Sequence, residues 1–266
     1  MRVAALQLNA LGLSPNRLDY YFRHAKADGV ELVLLGEYVL NPFFHELASI
    51  PIGMIAQQSE NQIKLLKELC NKYEMVAVAP IVRVVKKDPI KSIALVRNER
   101  VSYYDQQILI NYKHWNEERY FANEIKELEA PMTFRHEDLK VGVLAGFEIH
   151  FDYFWMQLMK KDVDLVLVPS VSTFGSGERW KELLAMRAFT NNVYLLRANR
   201  IGEYKDDLGL VWKFYGESLF AAPDGKIEQI LGDSEEMLIA QIDKERLKSA
   251  KKEWGFRSQL KRRGML

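Results

Sequence analysis

The chain has 266 residues, with 37 Lys and Arg against 36 Asp and Glu, a balance that gives no reason to expect nucleic acid or an anionic membrane as partner. Hydrophobic residues make up 48% and charged residues 27%, the profile of a soluble globular protein with a sizeable core. No apolar run approaches bilayer length and no signal-peptide core follows Met1, so a cytoplasmic protein is expected.

Residues 3–8 (VAALQL) read as a short apolar strand, and residues 17–28 as an amphipathic helix with Leu18, Tyr21, Phe22 and Ala25 on one face. Asp28-Gly29 stops that helix. Residues 31–35 (ELVLL) form a buried strand that delivers Gly36, Glu37 and Tyr38. A helix is expected over 60–72, with Ile63, Leu66, Leu69 and Cys70 inward, then a strand over 75–85. Residues 92–95 and 100–104 alternate as an antiparallel pair around Arg97-Asn98-Glu99. Residues 105–130 are a long loop dense in large side chains, among them Tyr112, His114, Trp115, Tyr120 and Phe121. A loop of that length and content reads as functional.

The strand at 141–145 stops abruptly at Gly146. Strand ends of this kind deliver residues into the crevice where open α/β folds place their chemistry. Glycine offers neither nucleophile, acid, base nor ligand. A helix at 154–161 follows, then a strand at 163–168 ending in Pro169-Ser170. A helix at 178–191 has Leu183, Leu184, Met186 and Ala188 on its apolar face, and a strand follows at 193–198. Late strands at 214–222 and 236–242 flank the turn Pro223-Asp224-Gly225. The basic tail, residues 244–263, reads as a solvated helix face.

The two halves repeat. Val3-Ala4-Ala5-Leu6 matches Val141-Gly142-Val143-Leu144, the segment 29–35 matches 162–168, and 75–78 matches 193–196. Two such halves imply two mixed sheets packed face to face with helices outside, an α/β fold built as a four-layer α-β-β-α sandwich. With no Pro/Gly/Ser-rich linker between them, residues 1–266 are expected to form a single domain with a C-terminal tail at about 244–266. Cys70, the sole cysteine, excludes an intramolecular disulfide and a cysteine-based zinc site. On its helix stripe it reads as a packed, inert thiol. The histidines at 24, 45, 114, 136 and 150 lack i, i+4 ligand spacing, so neither metal nor cofactor is expected.

The strand-end residues with chemical potential are Glu37, Glu148 and Ser170, joined by Lys113, His114 and Glu117 of the aromatic loop. Glu37 follows an apolar run, should be partly buried, and then suits general-base work. A structural Glu paired to an Arg or a backbone amide fits the same spacing. Hydroxyls after a strand, such as Ser170, Ser172 and Thr173, are more often turn formers, and Lys113 and His114 more often solvated.

These segments together resemble the carbon–nitrogen hydrolase family, the nitrilase-like amidases. The resemblance rests on the opening strand at 3–7, Leu35-Gly36-Glu37-Tyr38, residues 116–121 with Glu117, the strand running from 141 to Glu148, and residues 164–170. It extends through Arg187-Ala188, Asn199-Arg200, Gly216-Glu217-Ser218 and Pro223-Asp224-Gly225. It implies the nitrilase-type sandwich. It also implies a catalytic set of Glu, Lys and Cys, in which Cys attacks an amide or nitrile carbon, Glu takes the proton and Lys stabilises the oxyanion. The resemblance places Glu37, Gln106 and Gly146 at those positions, with Glu117 as the supporting Glu. Two of the three are thus substituted, and His150 and Thr190 depart from an Arg and a Glu usual in the family. The pocket it implies is lined by Tyr38, Lys113, Trp115, Phe147, Ser170 and Ser172. The expected function is a family member without the standard Glu-Lys-Cys activity that retains a pocket for an amide- or carboxylate-type small molecule. The alternatives are a hydrolase using a water or hydroxyl activated by Glu37, or a structural partner of an active relative. A homodimer or higher homo-oligomer is expected, with aromatic segments at 153–156 and 254–256 left partly exposed.

Overall fold

A computed structural model describes residues 1–12, 15–206 and 209–266. The first sheet contains strands β1 (Arg2–Gln7), β2 (Leu32–Leu35), β3 (Val76–Val85), β4 (Asp88–Arg97) and β5 (Arg100–Asp105), hydrogen-bonded in that order. The second contains β6 (Thr133–His136), β7 (Leu139–Val143), β8 (Leu165–Pro169) and β9 (Tyr194–Ala198). A separate ribbon pairs β10 (Ile201–Lys205) with β11 (Val211–Tyr215). β12 (Leu219–Ala221) and β13 (Ile227–Ile230) complete the second sheet beyond β9, and β14 (Glu236–Gln241) crosses back to lie antiparallel to β1.

The internal repeat is also the register of the fold. In the first sheet Val3 lies beside Leu32 and Leu32 beside Val76. In the second, Val141 lies beside Leu165 and Leu165 beside Tyr194. These are the positions that the sequence repeat equates. Both triplets are parallel and run as nearly unbroken apolar segments, because each face of a parallel sheet must be covered.

Alternation along the strands divides their side chains between two layers. Val3, Ala5, Leu32 and Leu34 face inward and meet Val141, Val143, Leu165 and Leu167 of the other sheet. Ala4, Leu6, Val33 and Leu35 face outward onto α1 (Asn16–Ala27) and α3 (Ile52–Tyr73), through Leu18, Phe22, Leu66 and Leu69. α4 (Asp152–Lys160) and α5 (Gly177–Asn191) cover the second sheet through Phe154, Leu158, Leu184 and Ala188. The result is the four-layer α-β-β-α sandwich. A short helix, α2 (Phe44–Leu47), packs over the strand ends with the aromatic cluster.

Several elements differ from expectation. α3 begins at Ile52, behind Pro51, because Ile55 and the polar Ser59 and Gln62 are buried along its first turns. Met186 is exposed: α5 buries Leu184, Ala188 and Asn191, and a residue two positions from Leu184 points well away from that stripe. The single strand expected over 214–222 is two strands, interrupted at Gly216 and Glu217, whose φ angles are 76° and 58°. The turn at 223–225 joins β12 to β13 rather than to β14. The basic tail forms α6 (Lys244–Trp254) and α7 (Phe256–Lys261), and it is docked rather than merely solvated: Leu247, Ala250 and Arg257 are buried. Of the aromatics at 153–156, only Tyr153 reaches the surface, while Phe154 and Trp155 are buried in the core.

Candidate functional site

The parallel strands of both sheets end against one another. Glu37 N–H donates to the Ser170 carbonyl at 3.1 Å, and Ser170 N–H donates to that of Ala198 at 2.9 Å. Gly36 sits at the crossing, where a Cβ would lie 3.1 Å from the Asn199 backbone and 3.3 Å from the Ser170 carbonyl. A side chain here would push the two halves apart by a few tenths of an ångström, which glycine avoids. β7 ends one turn before a 3₁₀ segment, Gly146–His150, which brings Gly146 to the same junction.

Glu37 is buried almost completely rather than partly. One carboxylate oxygen accepts the Gly146 backbone N–H at 3.2 Å. The other lies 2.6 Å from the Lys91 ammonium, which in turn lies 2.7 Å from Glu117. Tyr38 donates its hydroxyl to the same Glu117 oxygen at 2.7 Å, and the Ile110 N–H reaches the other at 3.4 Å. Lys91 also sits 5.1 Å above the Tyr38 ring. Burial, reinforced by the Glu117 charge, raises the Glu37 carboxyl above its ordinary range against the pull of Lys91. Burial alone would lower the Lys91 ammonium, but Glu117 and Glu37 together hold it above its ordinary value.

Gln106 occupies a different place from this cation. Its side-chain amide donates to the Ile108 carbonyl at 2.8 Å, a local turn contact, while its backbone N–H bonds to the Lys91 carbonyl at 3.0 Å. The ammonium beside Glu37 therefore comes from the neighbouring strand. Sequence reasoning missed Lys91, since the expected strand began at Ser92. The available signal was a lysine two residues ahead of the apolar run 93–96.

At Gly146 there is no room for a side chain. A Cβ would stand 2.9 Å from the Ser170 Cβ and 3.0 Å from a Glu37 oxygen. The Ser170 hydroxyl is turned to Arg197, whose Nε donates to it at 2.9 Å, and to the Ala198 and Asn199 oxygens, both at 3.4 Å. Glu148, also fully buried, accepts from the Tyr104 hydroxyl and the Gln107 and Ala145 N–H groups, and burial raises its carboxyl to about 7.

A cavity of about 530 Å³ opens beside this cluster. Trp115, Phe147 and Ser172 line it; Tyr38, Lys113 and Ser170 do not, and neither do Glu37, Gln106, Glu117 or Gly146. The same segments thus face both ways: Glu117, Gly146 and Ser170 belong to the charged junction, while Trp115, Phe147 and Ser172 form the cavity wall. Lys113 is exposed. Cys70 lies far along the chain on α3, buried, its thiol pushed up to about 12 by that burial. Among the described residues no group of His, Cys, Asp and Glu is arranged to hold a metal ion, and no helix is long and apolar enough to cross a membrane.

The family profile described as carbon-nitrogen hydrolase matches residues 2–252. The chain is 21% identical to N-carbamoylputrescine amidase of Oryza sativa subsp. japonica, over 96% of this chain and 89% of that protein. To deaminated glutathione amidase of Dictyostelium discoideum it is 30% identical over a shorter stretch, 36% of this chain and 32% of the relative's length. The crystal structure of a carbon-nitrogen hydrolase from Helicobacter pylori G27 superposes with a TM-score of 0.84 at 19% identity, covering 96% of this chain and 93% of that one.

Proposed function

This chain belongs to the carbon–nitrogen hydrolase family, and we propose that it is a member without amide hydrolysis that binds a small molecule in the cavity beside Trp115 and Phe147. The observation that carries this reading is the filled space at Gly146. The position that the resemblance gives to the nucleophile has no side chain, and Ser170 and Glu37 occupy the volume one would need. Losing a nucleophile can cost on the order of a million-fold in turnover. Glu37, with its raised carboxyl, keeps the character of a base, but its oxygens are committed to Lys91 and the Gly146 N–H, and it does not line the cavity. That disfavours a water activated by Glu37.

In this reading Glu37, Lys91 and Glu117 act as a structural charge cluster that supports the cavity wall. Residues 1–266 act as one domain, in the cytoplasm and as a homo-oligomer, a state favoured by the exposed aromatics Tyr153 and Trp254. Thermal denaturation of the purified chain with a panel of small carboxamides and carboxylates tests it. The expected result is a raised Tm with at least one compound and no ammonia released from any amide. Ammonia release that disappears in Glu37→Gln would overturn the reading.

A further inference from the structure

The cavity wall is one-sided in its polar chemistry. His114, His150 and Arg179 line it, with Ser172, Thr173 and Ser176, and among the described residues no Asp or Glu does. Beneath Ser172 lies Arg197, fully buried, with its guanidinium 4.4 Å above the Trp180 ring. Its hydrogen bonds reach neutral oxygens, the Ser170, Ser172 and Tyr215 hydroxyls and the Glu217 carbonyl, while the Glu217 and Glu37 carboxylates act on it without a direct ion pair.

Ser172 is the informative group. It is 4% exposed, and its oxygen accepts from Arg197 at 2.7 Å. A hydroxyl whose oxygen is held by a guanidinium keeps its own proton to donate, and the neighbouring positive charge strengthens that donation. No acceptor for the proton is found among the described residues. Buried donors left unpaired are costly and call for an acceptor from outside the chain. The remaining wall is apolar and largely aromatic, with Phe147, Phe174 and Trp180 among its members.

Resting on the reading of the cavity as a non-hydrolytic binding site, the geometry points to an aryl or arylalkyl carboxylate as its ligand class. The carboxylate accepts a hydrogen bond from the Ser172 hydroxyl over Arg197, and the ring lies among the aromatic side chains. With no acidic residue among the described lining residues, an anion meets no repulsion there, and the Arg179 charge disfavours a cation.

Isothermal titration of the full chain with phenylacetate, phenylacetamide and 2-phenylethylammonium tests this. Phenylacetate should bind with a dissociation constant at least about tenfold below that of phenylacetamide, as a charge-assisted hydrogen bond implies. The cation should give no heat, and Ser172→Ala should erase the preference for the anion while leaving the Tm within a few degrees. Equal affinity for acid and amide, or no binding of phenylacetate, would overturn the assignment. Its failure is distinguishable from failure of the non-hydrolytic reading, which would instead appear as ammonia released from phenylacetamide.

Discussion

Lys91 lies between two carboxylates with its side chain only 5% exposed. Removing one partner of a buried ion set leaves uncompensated charge and is far more damaging than the net worth of the set. Lys91→Met should therefore cost about 3–5 kcal/mol in denaturant unfolding. Adding Glu117→Gln should recover part of that loss, because one of the two stranded charges disappears. A loss below about 1 kcal/mol for the single change would show that the cluster is solvated. Gly146 sets the other expectation at this scale. Gly146→Cys introduces a Cβ into contact with Ser170, so it should destabilise the fold by about 1–3 kcal/mol and create no fast-reacting thiol. Iodoacetamide labelling of the variant measures the second point. Labelling much faster than that of Cys70 would show that the junction has room for a nucleophile. Glu37 and Gly146 were legible in the sequence because each ends a recognisable strand, and Glu117 only through the resemblance carried by residues 116–121. Lys91 was not, because nothing local marks a strand lysine as buried; its burial follows from carboxylates that are distant in the chain.

The 3₁₀ segment Gly146–His150 is held to the end of β5 by Glu148, which accepts the Tyr104 hydroxyl and the Gln107 N–H. Its carboxyl, raised to about 7 by burial, binds its proton more tightly in the folded state than in the unfolded one. Its contribution to stability is therefore fully present below the ordinary carboxyl range and is lost as pH rises through about 7, an effect of about 3 kcal/mol. Glu148→Gln removes the titration, so the stability of the wild type relative to this variant should fall between pH 5 and pH 8. Chemical denaturation at both pH values reads the difference, and a difference that stays constant would contradict it. The docked tail rests on Arg257, which donates to the Asn191 and Val163 carbonyls at 3.1 and 2.6 Å and to Asp162 at 2.6 Å. Arg257→Ala should lower stability by about 2 kcal/mol and make α6 and α7 accessible to protease. Unchanged stability and protease resistance would show that the tail is held by α6 alone. Nothing in the chain's composition marks this docking, since a run of basic residues has the same composition whether its charges face water or buried carbonyls. The strands β6, β10 and β13 escaped notice for a related reason: they are short and lie at edges or in a ribbon, where the apolar pattern is weak.

The whole molecule was the most legible level, because a repeated apolar pattern fixes a register when both sheet faces must be buried. The matched triplets Val3, Leu32, Val76 and Val141, Leu165, Tyr194 are enough to set both sheets. What the repeat could not convey is the boundary between junction and cavity, which depends on side chains from both halves meeting at their strand ends. Homo-oligomerisation belongs to this scale too. Tyr153 and Trp254 are 37% and 44% exposed, aromatic area of the kind the proposed partner copy would cover. Light scattering at micromolar concentration should return at least twice the 30.9 kDa of one chain, and a monomeric mass would contradict it. The central claim is that a family pocket persists without a working nucleophile. Single-turnover incubation, with protein in excess over phenylacetamide and product followed by mass spectrometry, tests it most directly. No phenylacetate above the buffer control is expected over many hours, whereas a burst of phenylacetate that Glu37→Gln abolishes would show a working nucleophile.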